Sequence, residues 1–155
     1  MSKRLLFVCL GNICRSPLAE GIMSHLSQKH GLNLFLDSAG TSDYHRGEAP
    51  DPRTIKNARK NGIDLSGLRA RPFRTEDFDA FDLIFAMDHS NLKYIQTQCK
   101  NPDHLKKLHL LPHPELEHGR VEIPDPYYGN DGDFESVFQL VYKSCEKLCA
   151  ELKIK

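Results

Sequence analysis

Four short apolar runs, at residues 4–8, 34–36, 83–86 and 108–111, recur along this chain with segments of helical period between them. Buried strands alternating with amphipathic helices predict an α/β protein whose parallel strands are joined by crossover helices. At 155 residues, 39% of them hydrophobic, the chain can bury one core and has little length for a second. Ser16 and Pro17 form a natural N-cap and first helical residue, followed by Leu18, Ile22 and Leu26 at i, i+4, i+8 with Ala19 and Met23 beside them, up to a stop near Gly31. Asp51-Pro52 opens a second helix with Ile55 and Ala58 inward, ended by Asn61-Gly62. Thr75 is expected to cap a short turn carrying Phe78, and Asp88 a helix containing Leu92 and Ile95. The clearest stripe runs from Asp133 through Phe134, Val137, Val141, Cys145, Leu148 and Leu152. Residues 38–50 and 112–132 are long for connections, and each follows a strand candidate, so both are expected over the carboxyl edge of the sheet, where α/β folds bind ligands.

Charge and composition exclude several classes of function. Lys and Arg number 21, as do Asp and Glu, so no global field draws the chain to nucleic acid or an anionic membrane, and any anion must be captured locally. The longest apolar run, residues 5–10, falls far short of the ~20 that span a bilayer. It is also too short for a signal sequence, so the N-terminus is expected as a mature first strand. Five cysteines (Cys9, Cys14, Cys99, Cys145 and Cys149) are an odd number in a chain large enough to fold without staples, which points to a reducing compartment and makes cytoplasmic the default location. His109, His113 and His118 are interrupted by Pro112 and Pro114, which break any helix that would align them. They are expected as surface loop residues, with no metal site.

The chemistry concentrates in Val8-Cys9-Leu10-Gly11-Asn12-Ile13-Cys14-Arg15-Ser16-Pro17, where the first strand gives way to the first helix. Gly11 and Asn12 tolerate left-handed backbone, so the turn can curl until successive N–H groups point inward, and the helix N-terminus adds partial positive charge. Arg15 supplies a planar fork for two oxygens of a tetrahedral oxyanion, which a lysine cannot copy. Leu10, Gly11, Asn12, Ile13, Cys14 and Arg15 thus form a candidate phosphate-binding loop that needs no metal. In that field Cys9 is expected to be a thiolate and an in-line nucleophile. Ser16 can donate to that thiolate or cap the helix, and the thiolate is the preferred partner. Attack on a phosphate ester expels an oxygen that needs a proton. Asp125, in Glu122-Ile123-Pro124-Asp125-Pro126-Tyr127-Tyr128, is the candidate acid, stiffened by two prolines beside two tyrosines that can wall a slot. A lone C-x5-R spacing is weak evidence; the glycine, the asparagine, Ser16-Pro17 and the strand-to-helix context make it specific.

Together with Asp37-Ser38-Ala39-Gly40-Thr41, Ala86-Met87-Asp88-His89-Ser90-Asn91 and Asp125-Pro126-Tyr127-Tyr128-Gly129-Asn130, these motifs resemble the low-molecular-weight protein tyrosine phosphatase family over the whole chain. The resemblance implies a single three-layer α/β phosphatase domain over residues 1–155, with a four-stranded parallel sheet flanked by helices and the phosphate-binding loop between the first strand and first helix. It implies a phosphocysteine intermediate on Cys9, Arg15 as phosphate clamp, Ser16 as the thiolate's partner, Asp125 as general acid and then base, and no cofactor. Asn12 would shape the loop with help from Ser38, Asp88 would belong to the supporting shell, and Tyr44, Tyr127 and Tyr128 would line the substrate crevice. A tyrosine-phosphorylated protein or peptide is then the substrate, inorganic phosphate and other tetrahedral oxyanions are inhibitors, and neither nucleic acid nor membrane is a partner. The resemblance also makes Cys9 and Cys14 a redox pair, in which a disulfide rescues the oxidised nucleophile. One position departs from the family: Leu68 stands where many members carry a histidine that helps hold the loop asparagine, so Asn12 is expected to lean on Ser16 and Ser38. Two rival chemistries fit less well. Arsenate reduction needs relay cysteines, whereas Cys99 lies among polar residues and Cys145 and Cys149 fall on the inward face of the last helix. Phosphoarginine hydrolysis points to threonine where Ile13 stands. A binding module without turnover would lack Cys9 or Asp125.

Overall fold

Each apolar run becomes a strand in the computed structural model, which describes residues 2–154; Met1 and Lys155, the ends of the expected domain, lie outside the described residues. The strands are β1 (Lys3–Cys9), β2 (Leu34–Gly40), β3 (Leu83–Ala86), β4 (Leu108–Pro112) and β5 (Arg120–Val121). The helices are α1 (Arg15–Lys29), α2 (Pro52–Lys60), α3 (Asp77–Ala80), α4 (His89–Gln98) and α5 (Asp131–Ile154), with a 3-10 turn at Pro102–Lys107. β1 pairs in parallel with β2 on one side and β3 on the other, and the sheet order is β2-β1-β3-β4-β5. The strand order therefore reverses at β1, and the carboxyl end of β1 is where an open α/β sheet leaves a crevice.

The sheet has five strands rather than the expected four. β5 runs antiparallel to β4, with Leu111 opposite Val121 and Pro112 opposite Arg120. The chain doubles back there through a turn in which the His113 N–H donates to the Gly119 carbonyl at 2.8 Å. Two residues are too few to show an alternating pattern, so β5 has no sequence signature of its own.

The core lies on both faces of β1. Leu5 and Phe7 pack with Ile22 and Leu26 of α1, Ala58 of α2 and Val141 and Cys145 of α5. Leu6 and Val8 face the other way, toward Phe78 of α3 and Ile95 of α4. All four β1 side chains are fully buried, which explains a continuous apolar run in place of alternation. Each such side chain contributes ~1.5–3 kcal/mol through removal from water.

Helix starts agree with the sequence at α2 and α4 and differ elsewhere. Asp51 caps α2 by accepting from the Arg53 N–H at 2.8 Å, and Asp88 caps α4 by accepting from the Asn91 N–H at 2.8 Å. Ser16 is not the cap of α1; the helix begins at Arg15, with Cys14 at the cap position and no side-chain cap bond. Thr75 does not cap α3, which follows Glu76. The carboxylate of Asp77, held by Arg71, accepts from the Arg74 N–H at 2.8 Å and secures that turn instead. α5 begins two residues before Asp133, because Asn130 and Asp133 exchange side-chain and backbone hydrogen bonds at 2.9 and 3.1 Å in the manner of a capping box. His109 belongs to β4, with its ring 6.0 Å from that of Phe85, and is no surface-loop residue. Among the described residues no helix is long and apolar enough to cross a membrane.

Candidate active site

The segment between β1 and α1 curls under two constraints. Asn12 takes φ +58, the left-handed region, and is the only non-glycine residue to do so among those described. The carbonyls of Cys9, Leu10 and Ile13 accept from the N–H groups of Thr41, Ser42 and Asp51 at 2.8, 2.9 and 2.8 Å. Since the C=O and N–H of a trans peptide point in opposite directions, the N–H groups of Leu10, Gly11 and Cys14 face away from those partners, into the curl. Gly40 permits the close approach that this needs: a Cβ there would stand 2.9 Å from the Leu10 carbonyl oxygen. The result is a ring of donors at a helix start, the geometry of an anion cradle.

Cys9 lies at its floor, 2% exposed, with Sγ 3.0 Å from Ser16 Oγ and accepting from the Asn12 N–H at 3.3 Å. Ser16 is thus beside the sulfur, which accounts for its absence as a helix cap. Asn12 Nδ2 donates to Ser16 Oγ at 2.8 Å and to Ser38 Oγ at 2.9 Å. Its Oδ1 accepts from the Arg71 N–H at 3.0 Å. The two serine contacts match the arrangement expected around Leu68, which itself packs against the main core; the Arg71 contact is an addition from a backbone group.

Arg15 is buried and donates through Nη1 to Asp88 at 2.7 Å and to the Ile123 carbonyl at 3.0 Å, while Nη2 stands 3.5 Å from Asp125. Burial disfavours its charge, but the Cys9 sulfur and the carboxylates of Asp88 and Asp125 outweigh that and hold the guanidinium above its ordinary range. Asp88 uses one oxygen for Arg15 and the other to cap α4, so the arginine is anchored to a helix start. Asp125 is held less tightly. Its Oδ1 accepts from the Tyr127 N–H at 3.1 Å and its side chain is 41% exposed.

Above the cradle opens a cleft of about 500 Å³ into which both long loops reach: Ser42, Tyr44 and His45 come from one, and Asp125, Tyr127 and Tyr128 from the other. Tyr127 forms a wall, with its ring 6.4 Å from His45 and the Arg53 guanidinium 5.5 Å from its centroid. Tyr44 and Tyr128 are 86% and 98% exposed and stand at the rim. Leu10, Gly11, Ile13 and Cys14 line the same cleft. Burial pushes the Cys14 thiol up to about 12, against a lowering contribution from the Thr54 hydroxyl.

Sequence reasoning missed His45, Arg53, Arg71 and Glu20. His45 could have been suspected from its place beside Tyr44 in a long loop; it lies against Gly11, where a Cβ would meet the imidazole at 3.1 Å. Arg53 carries the signal of Asp51-Pro52-Arg53, an acid that caps a helix and grips a base in its first turn. Arg71 acts through its backbone and Glu20 through Ser38, and neither contact has a residue-type signature.

Comparison with known proteins agrees with this geometry. The family model described as low molecular weight phosphotyrosine protein phosphatase matches residues 4–155. The low molecular weight protein-tyrosine-phosphatase YfkJ of Bacillus subtilis is 42% identical, covering 96% of this chain and 95% of its own. The Homo sapiens low molecular weight phosphotyrosine protein phosphatase is 42% identical over 93% of this chain and 92% of its own. The crystal structure of a protein tyrosine phosphatase from Entamoeba histolytica superposes with a TM-score of 0.91 at 38% identity, covering 98% of this chain and 97% of that one. On the agreement of fold, cradle and sequence, the chain belongs to the low molecular weight phosphotyrosine protein phosphatase family.

Proposed function

We propose that the protein hydrolyses phosphotyrosine in proteins and peptides through a phosphocysteine intermediate. The observation that carries this is the convergence of three groups on one cleft: the Cys9 sulfur at its floor, the Arg15 guanidinium beside it and the Asp125 carboxyl above. In the first step Cys9 Sγ attacks phosphorus along the line of the departing ester oxygen. The S–P bond forms, the P–O bond breaks, and Asp125 gives its proton to the tyrosine oxygen. In the second step Asp125 takes a proton from water as the water oxygen attacks phosphorus. The P–S bond breaks, phosphate leaves, and Cys9 is restored as a thiolate that accepts a hydrogen bond from the Ser16 hydroxyl. The inward N–H groups of the loop and the free nitrogens of Arg15 bind the equatorial oxygens throughout. Asp88 holds one Arg15 nitrogen at 2.7 Å, and the longer Asp125 contact is the one that a phosphate displaces.

Inorganic phosphate and other tetrahedral oxyanions fit the same cradle and inhibit. The half-buried Tyr127 ring, with His45 opposite, offers a phenyl group an apolar seat. Cys145 and Cys149 are fully buried on α5, so neither supplies the relay that arsenate reduction needs. All five cysteines are free, in keeping with a cytoplasmic setting. Oxidation of Cys9 by a peroxide gives a sulfenic acid. Attack by the Cys14 thiol then forms an S–S bond and releases water, which places the nucleophile in a recoverable state.

The test is kcat/KM on matched phosphotyrosine and phosphoserine peptides, with Arg15→Ala measured beside the wild type. Phosphotyrosine is expected to be preferred and Arg15→Ala to be inactive. Equal rates on the two peptides, or turnover that survives Arg15→Ala, would contradict the proposal.

A further inference from the structure

A continuous run of hydrogen bonds leads from Cys9 to a carboxyl group on α1 that the proposed reaction does not use. Ser16 Oγ is 3.0 Å from Cys9 Sγ, Asn12 Nδ2 donates to Ser16 Oγ and to Ser38 Oγ, and Ser38 Oγ donates to Glu20 Oε1 at 2.6 Å. The proton positions follow from the donor inventory. The Arg71 N–H donates to Asn12 Oδ1, which turns the amide NH₂ toward the serines, and an amide NH₂ accepts nothing. Both of its protons are thus given to the two hydroxyl oxygens. Ser38 has one proton left and Glu20 takes it. Ser16 has one proton left, with the Cys9 sulfur at 3.0 Å against the Ala39 carbonyl at 3.4 Å.

An ionised carboxylate only accepts, so with Glu20 ionised every proton in the run has one place. A protonated carboxyl can instead donate to Ser38 Oγ. The Ser38 proton then competes with Asn12 for position, and the amide that fixes Ser16 is loosened. Resting on the proposed reaction, we propose that Glu20 is a positioning residue for it: its carboxylate, acting through Ser38 and Asn12, orders the loop so that Ser16 donates to the Cys9 sulfur.

The surroundings leave Glu20 poised between its two forms. Burial raises its pKa, the Ser38 hydroxyl lowers it, Asp37 on β2 raises it and Arg71 lowers it, and the balance pushes the carboxyl up to about 7. Asp37 is itself engaged, accepting from Arg71 Nε at 3.1 Å and from the Ser38 N–H at 2.8 Å. His25 and Asp64 line the same cleft as Glu20, and so does Leu68, which offers it no charge.

The test compares wild type, Glu20→Gln, Ser38→Ala and the double variant by p-nitrophenyl phosphate turnover and by the rate of Cys9 alkylation with iodoacetamide. Glutamine copies the shape of the protonated acid and does not titrate. The wild-type to Glu20→Gln ratio is therefore expected near one at about pH 5.5 and to rise through a midpoint near 7 by about pH 8.5. The rise should reach about 3- to 10-fold, the scale of one hydrogen bond's net effect. Taking the ratio cancels the ionisations of substrate and Asp125. In the Ser38→Ala background the Glu20→Gln change should have no effect at any pH. A flat ratio overturns the proposal; so does a rise that persists without Ser38, since the carboxylate would then act through its field alone. Where Glu20→Gln melts early, the wild-type and Ser38→Ala alkylation profiles decide: a break near 7 confined to the wild type supports the relay, and identical profiles overturn it. Alkylation also separates the two claims, since it reports on the relay even if the enzyme turns over no phosphate ester.

Discussion

Asn12 pays for its left-handed backbone, which costs most L-residues about 1–2 kcal/mol, with an amide that uses all of its hydrogen-bonding groups. Through Ser16 it directs a hydroxyl at the sulfur, and through its own N–H it donates to the sulfur directly. Asp125 works differently, since it is half-exposed and carries only one contact to the Tyr127 N–H besides the distant Arg15. A general acid contributes about 10²–10⁴-fold, most where the departing oxygen is basic. Asp125→Asn is therefore expected to slow phenyl phosphate more than p-nitrophenyl phosphate in steady-state kcat; equal losses on both would make it structural. Cys14 is the proposed redox partner of Cys9. The Cys14 thiol is pushed up to about 12 by burial, and because the thiolate is the attacking form, little of it is present at ordinary pH and the protective disulfide is expected to form slowly. After a fixed peroxide dose, dithiothreitol is expected to restore wild type well and Cys14→Ser poorly, and equal recovery would remove the protective disulfide. Cys9, Arg15, Ser16 and Asp125 were legible in the sequence, because each carries its chemistry in its own side chain within a short motif; Asp88 was legible there only as a helix cap, and its place beside the loop came from the family resemblance. Arg71, Glu20 and His45 were not, because what they do depends on contacts between segments far apart in the chain.

At the scale of elements, helix starts hold the site together. Asp88 begins α4 and grips Arg15, Asp51 begins α2 and binds Arg53 under Tyr127, and Asn130 with Asp133 begins α5 directly after the Asp125 loop. The sequence pattern located Asp51 and Asp88 as caps because an acid precedes an apolar period in each case. It placed α5 two residues late, since Asp133 reads as a first acid when it is the third residue of a capping box. Of the two partners it offered Ser16, the helix cap and the preferred Cys9 sulfur, the hydroxyl lies 3.0 Å from the sulfur and makes no cap bond. Removing the box by Asp133→Ala is expected to cost about 0.5–2 kcal/mol, a fall in Tm of roughly 2–4 °C per kcal/mol for a chain of this size. Calorimetry checks this, and an unchanged Tm would show that packing of Phe134 and Val137 alone fixes the start of α5.

At the scale of the whole molecule, the sheet order explains why one cleft receives everything. β1 has β2 on one side and β3 on the other, and the loop leaving β2 and the segment between β5 and α5 meet over its carboxyl end, where Cys9 ends the strand. The alternation of apolar runs made the parallel sheet legible, and the two long loops made the position of the site legible. The fifth strand was invisible, since it exists only by pairing with β4. The central claim is that phosphate passes through a covalent bond to Cys9, and trapping that bond tests it most directly. Wild type mixed with p-nitrophenyl phosphate, quenched in acid within the steady state and analysed by peptide mass spectrometry, is expected to carry phosphate on Cys9, with no such adduct and no turnover in Cys9→Ala. Turnover with Cys9 unmodified, or sustained hydrolysis by Cys9→Ala, would contradict the account.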